Sequence, residues 1–467
     1  MSTPIKISVI GAGSATFSLG LIKDLCLTPN LAGSLVHFMD IDGERLDMIR
    51  KLAERYSQEL GSDLRIESTT DRRVVLQDAD FVINTAAVKS HHHQAAIREI
   101  IAKHGYYHTV RENVPGSFYN YRLMLDVVHE MEEICPDAWL IQSGNPVFGG
   151  CTLMTRESDL KIVGLCHGHY GVYEIANTIG LEINDMKDLT WQAPGLNHNV
   201  WLTHFIYQGQ DAYPLIDEWI ETKGEEYWAT HIAEKTHDAQ MSKGAVHQYK
   251  LYGCFPIGDT VRARGWWYHN NLEAKKFWFG EPFGGPDTEI ARPFYVKSLD
   301  EKIANMKRLA NDPTASLVGS LGAEKTKEQQ VPIIDALVNN VEGEFEVNVP
   351  NNGALPGIPD NVVVEVPAII NKKGILPMHV EPLPTKIMLE SIYPEWLQME
   401  RDLLAFQTGD RSQLVWNALN SAQTQSYDQA VAMLDEVMNM PGHEEVNEFF
   451  QFQNSEERML MKRRMSR

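Results

Sequence analysis

Along the first 190 residues, short apolar runs alternate with longer stretches in which apolar residues recur at helical spacing. The apolar runs predict strands at 6–10, 35–39, 80–84, 138–142 and 161–165. The helical spacing is clearest at 15–29, 43–60 and 120–134. Because strands that alternate with helices form parallel sheets with helices on both faces, this half predicts a Rossmann-type, doubly wound α/β sheet.

The regular alternation ends near residue 190. Trp, Tyr and His are frequent between 191 and 278, a composition typical of a pocket wall, and 378–439 returns to helical periodicity. The β-branched runs 345–349 and 362–366 predict an antiparallel pair of strands. We therefore predict an NAD-binding domain at 1–190 and an α+β substrate-binding and oligomerisation domain at 191–467.

The first strand and the first helix are joined by a glycine-containing turn, which consists of Gly11, Ala12, Gly13 and Ser14. Two glycines allow a tight turn and let a pyrophosphate approach the helix N-terminus. Asp40 ends the second strand, where its carboxylate can accept the ribose hydroxyls and would disfavour a 2′-phosphate. The pattern predicts NAD as the cofactor. Asn84 ends the next strand and is either a cofactor contact or a turn residue.

Polar residues also follow the later strands of this half. Asn145 comes after strand 138–142, and the tetrapeptide Cys166-His167-Gly168-His169 comes after strand 161–165. Ligands of open α/β sheets bind at the carboxyl edge where these residues lie. A thiol together with imidazole rings at that edge indicates a metal site.

Two further polar segments lie in the second half. Asn197 and His198 are adjacent, and His198 could supply a second ligand to an ion held by Cys166. Taken as an isolated residue, His198 would more often be structural. Asp259 has Arg262 and Arg264 nearby, which favours a site that holds an anionic group.

The composition disfavours some classes of binding partner. With 42 Lys plus Arg against 63 Asp plus Glu, the formal net charge is −21, so the average field repels nucleic acids and anionic membranes. We find no secretory signal and no apolar stretch long enough to span a membrane, so we expect a cytoplasmic protein. The five cysteines are widely spaced, and we expect them to be reduced.

Taken together, these motifs resemble glycoside hydrolase family 4, the NAD-dependent glycosidases. The resemblance rests on segments that stand in the family's order: Gly11–Ser14, Asn145-Pro146, Cys166–His169, Asn197-His198, Gly258-Asp259 and Val362–Pro367. The tetrapeptide Cys-His-Gly-His looks like that of the α-glucuronidase branch. The lactate and malate dehydrogenases share this kind of nucleotide-binding domain.

The resemblance implies a redox-assisted elimination. The sugar is oxidised at C3 by NAD⁺, a divalent ion, usually Mn²⁺, polarises the new carbonyl, a base removes the C2 proton, and the C1–oxygen bond breaks. It also implies Cys166 and His198 as metal ligands. Asn145 resembles the residue that contacts the sugar near C2 and C3, and we also expect it to contact the cofactor. The resemblance further suggests a homodimer or a homotetramer.

The other roles are assigned with alternatives. We interpret His167 as the acid for the leaving oxygen because an imidazole titrates near neutrality. Asp259 is either the C2 base or a metal-side partner, with Tyr252 as the second candidate for the base. Substrate contacts are expected from Asn145, His169 and Asn197. Arg262 or Arg264 would meet a substrate carboxylate.

These assignments predict an NAD- and Mn²⁺-dependent α-glucuronidase that acts on short uronic-acid glycosides. An α-galacturonidase, or an α-glucosidase or α-galactosidase of the same family, is the first alternative. A second alternative is an NAD-dependent hydroxy-acid dehydrogenase, which would accumulate NADH with substrate, whereas the hydrolase regenerates NAD⁺ in each cycle.

Overall fold

The computed structural model of the chain describes residues 2–107, 114–183, 188–263 and 265–452. The strands are β1 (Lys6–Ile10), β2 (Leu35–Met39), β3 (Arg65–Thr69), β4 (Phe81–Asn84), β5 (Trp139–Gln142), β6 (Lys161–Gly164), β7 (Leu189–Gln192), β8 (Gly195–Leu196), β9 (Asn199–Leu202), β10 (His204–Tyr207), β11 (Gln210–Asp211), β12 (Phe255–Ile257), β13 (Gly343–Pro350), β14 (Val363–Asn371) and β15 (Gly374–Pro377).

The α-helices are α1 (Ala15–Cys26), α2 (Gly43–Glu59), α3 (Arg72–Leu76), α4 (His91–Lys103), α5 (Val114–Ile134), α6 (Val147–Glu157), α7 (Tyr170–Ile179), α8 (Tyr213–Thr222), α9 (Gly224–Thr230), α10 (Lys243–Tyr252), α11 (Thr260–Ala263), α12 (Leu272–Phe279), α13 (Ala291–Asn311), α14 (Leu317–Leu321), α15 (Gln330–Asn339), α16 (Thr385–Ile387), α17 (Tyr393–Thr408), α18 (Arg411–Leu419), α19 (Tyr427–Met438) and α20 (Glu444–Phe449). None of these helices has both the length and the apolar character needed to cross a membrane.

Six parallel strands form the first half of the main sheet in the order β3-β2-β1-β4-β5-β6. This is the strand order of a dinucleotide-binding sheet, in which ligands lie beyond the carboxyl ends of the strands. The central strands consist almost entirely of buried residues because helices cover both faces. The predicted Rossmann-type fold is confirmed.

Antiparallel strands extend the same sheet. β13 pairs with β6 and with β14, which confirms the predicted antiparallel pair, and β8, β9 and β12 continue the sheet beyond β14. A separate three-stranded sheet contains β7, β10 and β11. The predicted domain division after residue 190 falls inside β7, and it stays a prediction, as do the homo-oligomer and the cytoplasmic location.

The C-terminal helices pack back onto the nucleotide-binding half. The two guanidinium nitrogens of Arg156 in α6 donate to both carboxylate oxygens of Glu400 in α17, at 2.9 and 2.8 Å. Trp396 Nε1 donates to the same carboxylate at 2.8 Å. This bidentate pair holds α17 against α6 and so fixes one wall of the cavity described below.

Replacing Arg156 with Lys should lower the free energy of unfolding by about 1 kcal/mol, because an ammonium group cannot reproduce the bidentate geometry. The matched control is Arg73→Lys, which changes a surface ion pair of 2.9 Å with Glu133 and should have almost no effect. Urea unfolding followed by circular dichroism measures both, and equal losses in the two variants would contradict this account of α17.

Candidate active site

The turn between β1 and α1 has the shape of a phosphate cradle. Gly11 has a φ of 84°, and a Cβ there would lie 2.6 Å from the backbone of Ala86. A Cβ on Gly13 would lie 2.6 Å from Oδ2 of Asp40. The side chain of Ser14 makes no capping hydrogen bond to α1. The first backbone N–H groups of α1 are therefore not used by this cap and can meet an anion.

Asp40 and Asn84 differ in their surroundings. One carboxylate oxygen of Asp40 accepts from Gly13 N at 2.7 Å and the other from Asp42 N at 2.9 Å. Each oxygen keeps a lone pair for a ribose hydroxyl. Asn84 is fully buried, donates to Gln142 at 2.9 Å and accepts from Ala86 N at 3.2 Å. The structure favours the turn role for Asn84 over a cofactor contact.

Three loops at the carboxyl edge of the sheet bring Cys166, His198 and Asp259 together. Cys166 follows β6, His198 lies in the turn between β8 and β9, and Asp259 lies between β12 and α11. Cys166 hydrogen-bonds His198, and Nε2 of His198 is 3.5 Å from a carboxylate oxygen of Asp259. The predicted convergence of the thiol and the imidazole is present in the structure.

This cluster favours a positive charge between its members. Burial alone would lower the pKa of His198, but Cys166 and Asp259 outweigh burial and raise that pKa to about 9. Burial opposes ionisation of Asp259, yet Arg262 and His198 hold its pKa well below the usual range. An imidazolium or a metal cation is therefore stabilised at the same point.

The turn that contains His198 hydrogen-bonds a buried carboxyl group. His198 has a φ of 68°, which is the left-handed region that non-glycine residues seldom adopt. The neighbouring Asn197 donates through Nδ2 to Glu365 of β14 at 2.9 Å. Burial raises the pKa of Glu365. This hydrogen bond fixes the turn, and with it the position of the His198 ring.

His167 has a carboxylate partner of its own. Its Nδ1 lies 3.1 Å from an oxygen of Glu328, and that interaction raises the pKa of His167. The ring is about half exposed and borders the cavity beside Tyr170. A partner on Nδ1 leaves Nε2 as the nitrogen that can donate a proton into the cavity.

Cys166, His167, His198 and Asp259 border one cavity of about 770 Å³. This volume is within the usual range for small-molecule sites. The predicted site residues that line it are Asn145, Cys166, His167, Asn197, His198, Asp259 and Arg262. A substrate inside it could contact the thiol, the imidazole rings and Asn145 at the same time.

The same cavity contains a cluster of three guanidinium groups, of which the sequence analysis identified only Arg262. Arg262 pairs with Asp259 at 2.8 Å and also with Asp287, and Arg98 pairs with Asp287 as well. Burial, together with the charges of Arg292 and Arg262, lowers the pKa of Arg98 to about 9. Among the described residues, Asp259 and Asp287 pair with Arg262 and Arg98, and an anion beside Arg292 would relieve the repulsion among the three guanidinium groups.

Arg292 is the guanidinium group best placed for that anion. It donates to Gln94 at 3.2 Å and lies 5.6 Å from the ring centre of Tyr295. Among the described residues it has no carboxylate partner, and its buried Nε has no hydrogen-bond acceptor. Arg262, by contrast, is already occupied by two carboxylates. Arg264, the other predicted arginine, lies outside the described residues.

Two predicted residues do not join the site. Tyr252 is 6% exposed and packs against Trp201 with ring centres 5.0 Å apart, so it belongs to the hydrophobic core. His169 is buried and stacks on Trp191 at 6.0 Å instead of facing the cavity. Neither residue lines the cavity, and a base or a substrate contact must reach the sugar, so the structure does not favour these two assignments.

Comparison with known proteins identifies the family. Residues 6–182 match the family described as Family 4 glycosyl hydrolase, and residues 193–424 match the Family 4 glycosyl hydrolase C-terminal domain. The chain belongs to family 4 of the glycosyl hydrolases. This assignment confirms the resemblance seen in the sequence and makes the chain a glycoside hydrolase instead of a hydroxy-acid dehydrogenase.

Two family 4 relatives differ in the sugar they act on. An alpha-galactosidase from Bacillus subtilis is 27% identical over 391 residues, which cover 82% of this chain and 85% of the relative. An alpha-galacturonidase from Thermoanaerobacter italicus is 25% identical over 400 residues, covering 82% of this chain and 84% of the relative. The activities of these two relatives differ, so the sugar has to be argued from the cavity.

Solved structures agree on the fold. A 6-phospho-alpha-glucosidase from gut microorganisms, in complex with NAD and Mn²⁺, superposes with a TM-score of 0.76 at 18% identity, covering 97% of this chain and all of the other. The lactate dehydrogenase of Eimeria maxima superposes with a TM-score of 0.51 at 14% identity, covering 88% and 97%. The family 4 fold and its likeness to the dehydrogenases are both confirmed.

Several residues of this site left weak or no signals in the sequence. Glu365 was detectable, because a lone acid within the β-branched segment 362–366 must find a partner when it is buried. Arg98, Arg292 and Glu328 lie on or beside helices that are remote in sequence from the carboxyl-edge loops. No local pattern connects these three residues to Cys166.

Replacing Glu365 with Ala should cost about 1–3 kcal/mol of stability, because the amide of Asn197 stays buried without its acceptor. Glu365→Gln is the matched control, since its amide oxygen can still accept that hydrogen bond. Chemical denaturation of both variants measures the difference. Equal stability of the Ala and Gln variants would show that the Asn197 turn does not depend on this hydrogen bond.

Proposed function

We propose that this family 4 glycosidase is an NAD- and divalent-metal-dependent enzyme that hydrolyses α-linked uronic-acid glycosides, with α-glucuronides as the first candidates. The observation that supports it most directly is the guanidinium cluster of Arg98, Arg262 and Arg292 in the catalytic cavity. A uronate differs from a neutral sugar by a carboxylate at C6, and that carboxylate is the anion such a cluster favours.

The residues fit both cofactors. The cradle at Gly11 and Gly13, with Asp40 beside it, suits a pyrophosphate and a ribose that carries free hydroxyls. Cys166 and His198 provide two metal donors where a positive charge is favoured. Among the described residues, no group of three His, Cys, Asp or Glu side chains forms a ready metal cage. A two-donor site leaves positions for substrate oxygens, as catalytic metal sites require.

The bound cofactors would supply a hydride acceptor and a Lewis acid, so that the sugar C2 proton becomes acidic enough to remove. Asn145, at the cavity rim, is positioned to orient the sugar hydroxyls. His167, with Glu328 on its Nδ1, is positioned to protonate the leaving oxygen through Nε2. Its carboxylate partner orients the ring and stabilises its protonated form.

The two roles considered for Asp259 are not equally compatible with its surroundings. A carboxylate that is paired with Arg262 and His198, with a strongly lowered pKa, is a weak proton acceptor. Its charge instead stabilises a cation beside His198. We therefore assign Asp259 as the metal-side partner and not as the C2 base.

A second candidate, an α-galacturonidase, is favoured by the 25% identical relative of that name. Glucuronides and galacturonides differ only at C4, so both would place a carboxylate near Arg292. Aryl α-glycosides of glucuronic acid, galacturonic acid, glucose and glucose 6-phosphate separate the candidates. The proposal requires activity on at least one of the two uronides to exceed activity on glucose and on its 6-phosphate.

Activity on the preferred aryl α-uronide should require both NAD⁺ and Mn²⁺. Extensive dialysis against a chelator, followed by removal of bound dinucleotide, should abolish hydrolysis, and only the joint return of both cofactors should restore it. Release of the aryl group reports the reaction. Hydrolysis that survives complete removal of both cofactors would contradict the proposed mechanism.

Arg292→Ala should raise KM for the uronide about 10- to 100-fold while leaving the much weaker reaction with a neutral glycoside almost unchanged, because one charge-assisted contact is lost. Arg308→Ala is the matched control, since Arg308 lies on the same helix, α13, and is exposed. Arg262→Ala should impair both substrates, because it also releases Asp259. Equal effects of Arg292→Ala on both substrates would remove Arg292 from carboxylate recognition.

A further inference from the structure

A second, smaller cavity adjoins the catalytic one. Its volume is about 380 Å³, and its walls include Glu174, Asn177, Tyr227, His231, Asp238 and Gln240. Glu174 and Gln240 line both cavities. Gln240 is fixed, since it donates to Pro256 O at 2.7 Å and accepts from Gly258 N at 2.8 Å. The two spaces therefore share a wall next to Asp259.

Helix α7 extends from the neighbourhood of His167, the proposed acid for the leaving oxygen, to the second cavity. The ring of Tyr170, at the start of α7, lies 5.7 Å from that of His167. Tyr170, Glu174 and Asn177 are spaced i, i+4 and i+7, so they lie on one face of the helix. Asn177 is about 10 Å along the axis from Tyr170. A substituent that leaves near His167 can extend along this face into the second cavity.

The far wall of the second cavity is an aromatic platform. Tyr227 and His231 stack with ring centres 4.4 Å apart and planes 16° from parallel. Trp219 packs edge-on against Tyr227 with ring centres 5.2 Å apart. Nε2 of His231 is hydrogen-bonded to a carboxylate oxygen of Asp238 at 2.9 Å. These contacts fix both rings in place. A rigid apolar surface with polar groups around it suits a ligand that has both apolar faces and hydroxyls.

The two cavities differ in charge. Asp238 borders only the second cavity and Glu174 borders both, whereas the arginine cluster lies in the first. Carboxylates and the amide of Asn177 can accept from and donate to hydroxyl groups, but the carboxylates repel a second anion. The second cavity therefore favours a neutral, hydroxylated ligand over a charged one.

We infer that the second cavity is the subsite for the leaving group and that it binds a neutral pyranose. The inference rests on the proposed function, because it orients an α-linked disaccharide whose uronic acid lies at the arginine cluster. The second sugar then extends past His167 along α7 and lies against Tyr227 and His231. An aryl leaving group does not use the hydroxyl contacts of this subsite.

Three substrates of the holoenzyme test this subsite: an aryl α-uronide, an α-uronosyl disaccharide ending in a neutral sugar, and one ending in a second uronic acid. Asn177→Ala should lower kcat/KM about fivefold for the neutral disaccharide and leave the aryl uronide within about twofold. Asp238→Asn should raise kcat/KM for the diuronide, because it removes a repelling charge and keeps a hydrogen-bonding group beside His231. Gln210→Ala and Glu226→Gln, at exposed positions outside both cavities, are the matched controls.

Equal losses on all three substrates, or no loss on any, would overturn the subsite. A binding measurement, which does not depend on catalysis, separates failure of the subsite from failure of the proposed function. Saturation-transfer NMR of methyl β-D-glucopyranoside with the full-length protein should detect binding that Asn177→Ala weakens. If the wild type binds this probe but cleaves no aryl uronide, the proposed function fails and the subsite stands. Equal transfer to the wild type and to Asn177→Ala would overturn the subsite.

Discussion

The site depends on one chain of polar contacts at the carboxyl edge of the sheet, from Cys166 through His198 and Asp259 to Arg262. Cys166, His198 and Asp259 come from three loops that are distant in sequence, and Arg262 lies in α11. Each contact stabilises the ionised form of the next, so that the imidazole favours its protonated state and the carboxylate stays deprotonated. Removing Asp259 would leave His198 without its carboxylate partner, which is costly at a buried position.

The sheet supplies the geometry for that chain of contacts. Parallel strands β1 to β6 end at one edge, and the antiparallel strands β13 and β14 continue the sheet past β6. Glu365 of β14 can therefore lie beneath the turn that carries His198 and hold Asn197. A turn with a left-handed His198 is costly in isolation, and the hydrogen bond from below is what offsets that cost.

The sequence predicted the half of the fold in which each element is long and strongly patterned. The ends of β1 and β2 agree with the predicted 6–10 and 35–39, since buried parallel strands are continuous apolar runs. The strands between 189 and 211 went unpredicted because they have only two to four residues each and lie in an aromatic-rich region without clear alternation. Cys166 and His198 were found from their position at strand ends and from the family resemblance. Arg292 was missed because tertiary packing alone brings α13 to the cavity.

The positive charge of the arginine cluster is opposite in sign to the net charge of the protein. A net charge of −21 disfavours the approach of an anionic sugar, and screening limits that effect to roughly 8 Å at physiological ionic strength. Selection of an anion must therefore come from groups in contact with it, as the arginine cluster provides within an enclosed cavity. The acidic second cavity has the opposite preference a short distance away. A ligand that spans both cavities is thus oriented by its own charge distribution, because reversing it would place the carboxylate against Glu174 and Asp238 and leave Arg292 without an anion.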